Sequence, residues 1–405
     1  MVLPPQQANP TDSGRMATNG HLLVTPCDPG NCHVYFGVQL RALPTAMALA
    51  RASRRTLVLA PFEYYENQAQ EFANAFRATA SGQRPLFIAW SELFDIEQFR
   101  DFGVDAVDFR DAPSHSMNRA ILQTGSSAPP QGGSSGADAA SAPQSLDGVL
   151  HPVPCKPSRD GIQRNMSFES DLYGDLTTPS AVELYGRRIP LHDFACGVVS
   201  LQAETNIHAL AASWGDAPLS AIFNVGHHVH TRVSANAFTQ EAARVSAALR
   251  PNVTLEKEAR RFLASLTDAT PDASVRVVAV HWRHGDYVAY KLLQSVDTVA
   301  ARTTKAFDAL KCTPSSCRIF LMTNCRDRVA LDQLAEAMPT PPIRYTPSEP
   351  RFEHEGRRLV IEASVASLAD SFVASQRSAV SELVENLRRG IAWRAKNQPQ
   401  AKAEL

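Results

Sequence analysis

The chain lacks the features that most readily assign a protein to a class. No run of 18 or more apolar residues occurs in its 405 residues, so no membrane-spanning helix is expected. Neither sign of charge dominates. Forty Lys and Arg face 41 Asp and Glu, for a net charge of −1, which argues against a protein working through a basic nucleic-acid face. A local anion site is compatible with that balance. Seven cysteines are too few for a disulfide scaffold. Two pairs nevertheless lie close in sequence, Cys27 with Cys32 and Cys312 with Cys317. Each spacing suits a disulfide across a short surface loop, while four thiolates together would complete a tetrahedral zinc shell, the less favoured arrangement. Residues 1–20 are polar and proline-containing, without the apolar core of a secretory signal, and are expected to be disordered; by themselves they suit the cytosol. The closing Lys402, Ala403, Glu404 and Leu405 resemble a degenerate retrieval tail of the endoplasmic reticulum lumen, and the loop cysteines point the same way. Triplets beginning at Asn165 and Asn252 fit the N-glycosylation pattern, one common by chance.

What the chain does have is apolar mass, 44% of its residues, and a length that fits two ordinary domains. Residues 21–25 and 56–60 are short apolar runs separated by a loop and by a stretch, 40–54, whose apolar residues recur at helical spacing. That order is a βαβ unit and predicts a parallel sheet. Residues 85–90 add a further strand, and an acidic helix is expected over 92–102. From 112 to 148 the composition turns to Ser, Ala, Pro and Gly, with too little apolar mass to offset ordering, and predicts a disordered insertion. A strand is expected at 222–225. From residue 251 the alternation resumes, with strands over 275–282, 318–323 and 371–374 and helices over 254–266, 296–310, 327–338, 357–368 and 378–390. The fold class is therefore α/β: an N-terminal Rossmann-like domain over 21–235, a C-terminal one over 236–395, and a tail over 396–405.

One stretch stands apart. The apolar strand ending at Val280 runs directly into His281, Trp282, Arg283, His284, Gly285, Asp286 and Tyr287. Open α/β sheets place ligands beyond the carboxyl ends of their strands. An arginine there suits an anion, because its planar fork meets two phosphate oxygens at once. A structural ion pair between Arg283 and Asp286 in a tight turn is the competing reading.

These residues resemble the His-x-Arg motif of the GDP-fucose protein O-fucosyltransferases, and the resemblance spans most of 21–110 and 250–390. Leu359, Val360, Ile361 and Glu362 are similar to a second family segment. Ala369, Asp370, Ser371 and Phe372, followed by Ser378, Ala379 and Val380, are similar to a third. Phe36, Gly37, Val38 and Gln39 look like the family's Phe-Gly-Asn-Gln loop, and Leu59 to Phe62 look like its Pro-Pro-Trp strand end. The resemblance implies a GT-B-like architecture, two Rossmann-like domains facing a cleft. It also implies an inverting, metal-independent transfer of fucose from GDP-fucose to Ser or Thr of a protein acceptor.

Carried over, Arg283 contacts the donor phosphates and supports departure of GDP. His281, Gly37 and Asp370 line the nucleotide site, Glu362 lies near the guanine, and Ser378 holds phosphate at a helix N-terminus. The chain departs from the family at Val38, where one branch has Asn, and at Ala379 and Val380, where the signature has a hydroxyl and an aromatic. These departures leave a catalytically inactive, donor-binding relative as the alternative.

The acceptor hydroxyl must lose its proton, and Glu63, just past the second strand, is the candidate base by position. Many other glycosyltransferases bind a divalent metal through Asp-x-Asp; the chain has none, in keeping with a metal-free mechanism and no cofactor. His227, His228 and His230 are close in sequence, but on a strand only His228 and His230 share a face, too few ligands for a structural metal site.

Overall fold

The computed structural model describes residues 20–25, 39–40, 43–64, 86–112, 119–123, 150–152, 181–184, 187–190, 193–199, 221–224, 248–267, 275–289 and 291–397. The N-terminal half opens with β1 (His21–Thr25), α1 (Leu43–Ser53), β2 (Thr56–Leu59), β3 (Phe62–Tyr64), β4 (Leu86–Ile88) and a one-turn α2 (Trp90–Leu93). After a 3-10 helix over Ile96–Phe102 come β5 (Ala106–Asp108), β6 (Arg119–Gln123), β7 (Leu150–Pro152), β8 (Ala181–Leu184), β9 (Arg187–Pro190), β10 (Asp193–Val199) and β11 (Ala221–Asn224).

Seven of these form one sheet in the order β5-β2-β1-β11-β6-β10-β7. All its pairings are parallel except β10 with β7. The expected βαβ unit is β1-α1-β2. Leu22, Leu23, Leu57 and Val58 are fully buried, and Leu43, Met47 and Ala50 of α1 pack on the face that carries Leu22 and Leu57.

Two expectations need correction here, and a third is refined. Residues 119–123, inside the stretch expected to be disordered, form β6, hydrogen-bonded between β11 and β10. Their three consecutive apolar residues are outweighed in any composition average by the Ser, Ala, Pro and Gly that follow. The strand at 86–88 lies outside the main sheet, paired antiparallel with β3. The acidic helix over 92–102 is two pieces, because Asp95 adopts an extended backbone and its side chain accepts from Glu97 N (3.2 Å), starting a new, 3-10 helix.

The C-terminal half follows its predicted alternation closely: α3 (Val253–Thr267), β12 (Arg276–Trp282), α4 (Gly285–Ala289), α5 (Val296–Ala309), β13 (Cys317–Thr323), α6 (Arg328–Ala337), β14 (Pro342–Ile343), α7 (Glu355–Leu368), β15 (Ser371–Val373) and α8 (Ala379–Asn397). Its four strands are parallel, in the order β14-β13-β12-β15. Both faces are covered, which is why β12 reads as a continuous apolar run instead of alternating. Val277 and Ala279 face α3, α7 and α8, whereas Val278, Val280 and Trp282 face α5 and α6. Phe262 of α3 sets its ring edge-on against Phe320 and Tyr345, with centroids 5.6 and 5.2 Å apart. Each such buried aromatic contributes about 2–3 kcal/mol.

The halves meet through the segment before α3. Asp95 N donates to Arg250 O (2.9 Å) and Asn252 N to Leu93 O (2.9 Å). The Asn252 side chain donates to Ser91 O (2.7 Å) and accepts from Thr254 N (2.9 Å), so the sequon amide is committed to starting α3 at this junction. Arg357 of α7 reaches Glu92 of α2 at 2.7 Å. Cys312 and Cys317 form a disulfide, leaving no thiolates at that pair for zinc. Cys27, Cys32, Asn165 and the histidines at 227, 228 and 230 lie outside the described residues. Among the described residues no helix is long and apolar enough to cross a membrane, and no group of three or more His, Cys, Asp or Glu is placed to hold a metal ion.

Candidate active site

Parallel strands joined by helices put every strand's carboxyl end on one edge, and the polar residues after β12, β13 and β15 gather there. The loop carrying Arg283 is fixed from both sides. Its backbone N–H donates to Ser375 Oγ (2.7 Å), and that hydroxyl donates to His281 O (2.8 Å), so one buried serine after β15 spans the end of β12. On the other side His284 N donates to Asn324 Oδ1 (2.8 Å) after β13. Gly285 is required here: its φ is +24°, and a Cβ would lie 2.6 Å from Asn324 Nδ2. Tyr287 OH donates to Gln376 O (3.1 Å), tying the start of α4 to the same β15 loop.

His281 is buried on the face toward α8, where its Nδ1 lies 2.8 Å from Ser381 Oγ. Burial, and then the charge of Arg283, hold its imidazole down at about 3, so it is neutral. Its ring is set inside the fold and is not open to a ligand. Ser378 is buried directly before α8, its carbonyl accepting from Glu382 N (3.0 Å). Arg377 beside it is exposed at φ +55°, a backbone conformation uncommon outside glycine and often found at functional sites.

Helix α7 runs back from the carboxyl edge toward the start of β15, so depth along it sorts the remaining candidates. Glu355 in its first turn stands at the carboxyl edge. It is solvent-accessible, yet surrounding protein raises its pKa against the pull of Arg283, Arg326 and Arg358. Glu362 is two turns, about 10 Å, further down, largely buried and paired with Arg358 (2.9 Å). Burial raises its pKa, and Arg358 and Arg344 pull it back.

Asp370 is at the opposite end. Its Oδ2 accepts from Val277 N (2.8 Å) at the start of β12, six strand residues and roughly 20 Å from Arg283. The structure thus brings together Arg283, His281 and Ser378, sets Glu362 below them, and removes Asp370 from the site. Glu63 is in β3, its backbone paired with Phe87 on the small hairpin. Gly37 and Val38 lie outside the described residues. Arg326, Ser375, Asn324 and Glu355 were not anticipated. For two of them a readable signal existed: Asn324 and Ser375 are the first polar residues past β13 and β15.

Two parallel-sheet α/β units define the class: the chain has a GT-B-like glycosyltransferase fold. No protein-family model matches the chain, and no curated protein sequence does. Among solved structures, POFUT1 in complex with GDP-fucose matches over 92% of this chain and 96% of its own, with a TM-score of 0.52 at 14% identity. POFUT1 in complex with GDP matches over 91% and 95%, with a TM-score of 0.51 at 14% identity. The fucosyltransferase NodZ from Bradyrhizobium is more distant, with a TM-score of 0.38 at 14% identity over 90% of this chain and 92% of its own.

Proposed function

We propose that the chain is a glycosyltransferase that moves fucose from GDP-fucose to a Ser or Thr hydroxyl of a protein acceptor, with inversion and without a metal. The observation that carries this reading is the fixed presentation of Arg283 at the carboxyl edge, held by Ser375 and Asn324 beside further arginines. The likeness in fold to POFUT1 bound to GDP-fucose supports it.

In this reaction the bond from the sugar C1 to the β-phosphate oxygen breaks, and the electron pair leaves with GDP. The acceptor oxygen bonds to C1 from the opposite face, and its proton passes to a base, for which Glu63 is the candidate. Arg283 meets the charge growing on the departing diphosphate, where a preoriented guanidinium does most in a water-poor cleft. The guanidiniums take the part that a divalent cation plays elsewhere. A lumenal location in the endoplasmic reticulum is part of the proposal and is supported by the Cys312–Cys317 disulfide, a bond that persists in oxidising compartments.

The test is calorimetric titration of GDP and GDP-fucose into the protein and into Arg283→Ala. The reading expects binding that the substitution weakens tenfold or more, about 1.4 kcal/mol, with transfer to folded acceptor domains. Binding without transfer supports the second reading, an inactive donor-binding relative, which Val38, Ala379 and Val380 favour. An intact protein that binds neither nucleotide overturns both.

A further inference from the structure

Arg377 is held in a backbone conformation that its place in the chain does not explain. Among the described residues, four other than glycine have positive φ: Arg54 (+52°), Lys291 (+55°), Lys311 (+52°) and Arg377 (+55°). Three of them close the end of a helical turn, donating their N–H to the carbonyl three residues back: Arg54 to Arg51 (3.2 Å), Lys291 to Val288 (3.2 Å) and Lys311 to Asp308 (2.9 Å). A left-handed residue is usual there. Arg377 ends no helix. It lies between β15 and α8, in the turn at the carboxyl edge, and every residue before it in that turn is tethered. Ala374 O accepts from Arg302 Nη1 of α5 (2.8 Å), Ser375 Oγ spans Arg283 N and His281 O (2.7 and 2.8 Å), and Gln376 O accepts from Tyr287 OH of α4 (3.1 Å). On the other side Ser378 O accepts from Glu382 N (3.0 Å) and begins α8. A left-handed arginine persists only where its surroundings over-determine it in this way.

What the conformation achieves is placement. The Arg377 side chain is exposed and enters no hydrogen bond or ion pair among the described residues. Ser378 beside it is buried, and its hydroxyl is likewise unengaged. Ser375 touches the Arg283 backbone, and two residues span at most about 7 Å, so both guanidiniums can meet one diphosphate. We propose that Arg377 is a second donor-binding residue, whose guanidinium meets the phosphates of the nucleotide beside Arg283, and that the tethers on residues 374–376 present it there. The inference rests on reading this edge as the GDP-fucose site. A guanidinium with no protein partner gives up no contact when an anion arrives, and its planar fork suits phosphate oxygens. Glycine would fit this backbone better but would carry no charge.

Calorimetric titration of GDP into the full chain and into Arg377→Gly tests this, because glycine accepts φ +55° without strain while removing the guanidinium. Arg377→Gly is expected to bind GDP about tenfold more weakly, the size of one lost charge-assisted contact, while its denaturant midpoint stays level or rises. An Arg377 with a merely structural part would give the reverse, altered stability with unchanged affinity. Arg377→Lys, which keeps a point charge but not the fork, should fall between the two and gives a second folded variant. Lys305→Gln removes one exposed positive charge from the later turns of α5 and should leave affinity within about twofold. Unchanged affinity in Arg377→Gly, or an equal loss in Lys305→Gln, overturns the inference and leaves the donor site standing. Inorganic pyrophosphate separates the two readings in the other direction. Pyrophosphate binding that Arg377→Gly weakens, without binding of GDP, keeps the role of the arginine and removes the nucleotide. Binding of neither anion removes both.

Discussion

Two acid–arginine clusters in the C-terminal half use the same residue types to opposite ends. Glu258 of α3 is buried and saturated. Arg261 meets its carboxylate through two nitrogens (2.7 and 2.8 Å), Tyr345 OH donates at 2.8 Å, and Ser348 donates through both its N–H (3.1 Å) and its hydroxyl (2.8 Å). Burial alone would raise this carboxyl; the hydrogen bonds more than offset it and hold it down at about 2. Glu355, by contrast, is exposed in the first turn of α7, its pKa raised by its surroundings against the pull of Arg283, Arg326 and Arg358. Saturation marks a group that secures the fold.

The largest effect expected from this contrast is on Glu258. Glu258→Ala leaves Tyr345 OH and Ser348 N–H without their acceptor under the loop after β14, and should lower stability by about 3 kcal/mol. Denaturant unfolding measures it. Fully folded Glu258→Ala should still bind GDP within twofold of the parent, so a large loss of affinity would break the distinction between the clusters. The sign with pH also follows. A carboxyl lowered to about 2 contributes stability that is fully present above its unfolded value, about 4.3, and is lost as pH falls through 2.

His281 has an expected effect at least as large, in a different pH window. Its imidazole is held at about 3 by burial and by Arg283, so the unfolded chain binds the proton first. Stability should therefore be complete above about pH 6.5 and fall as pH drops toward 3, with a limiting slope of about 1.4 kcal/mol per unit. Unfolding midpoints between pH 4 and 7 check this. His281→Gln should flatten that slope while leaving the acid-side loss from Glu258 in place. A slope unchanged in His281→Gln would mean that another group titrates.

Much of the C-terminal half was legible because its strands are buried on both faces and its helices carry apolar stripes. β12 and β13 are unbroken aliphatic runs, and Asp327 announces the start of α6 by accepting from Val329 N and Ala330 N at 2.9 and 3.2 Å. Arg283 could be read from its place after β12. Glu355 could not, because its significance comes from Arg283 and Arg326, 72 and 29 residues away in sequence and adjacent only once the strands align. The N-terminal half was less legible. β6 has only three apolar residues between Arg119 and Gln123, and its place in the sheet is set by hydrogen-bonding to β11 and β10. Local sequence does not record such pairing.

Asp370 gives the smallest expected effect and the sharpest check on where the site ends. It lies one residue before β15, opposite Val277, where the β12–β15 register of Val278 with Ser371 has not yet begun. Its carboxylate supplies the acceptor for Val277 N that a longer β15 would have supplied from its backbone. Asp370→Ala should cost about 1 kcal/mol, the worth of one such hydrogen bond. Asp370→Asn, which keeps a carbonyl oxygen there, should cost less. Because α7 and β12 separate it from the arginines by the full length of the strand, neither substitution should change GDP affinity by as much as twofold. A tenfold loss of binding in Asp370→Asn would move the ligand to the amino edge of the sheet, and the contrast between Glu258 and Glu355 would then no longer distinguish support from site.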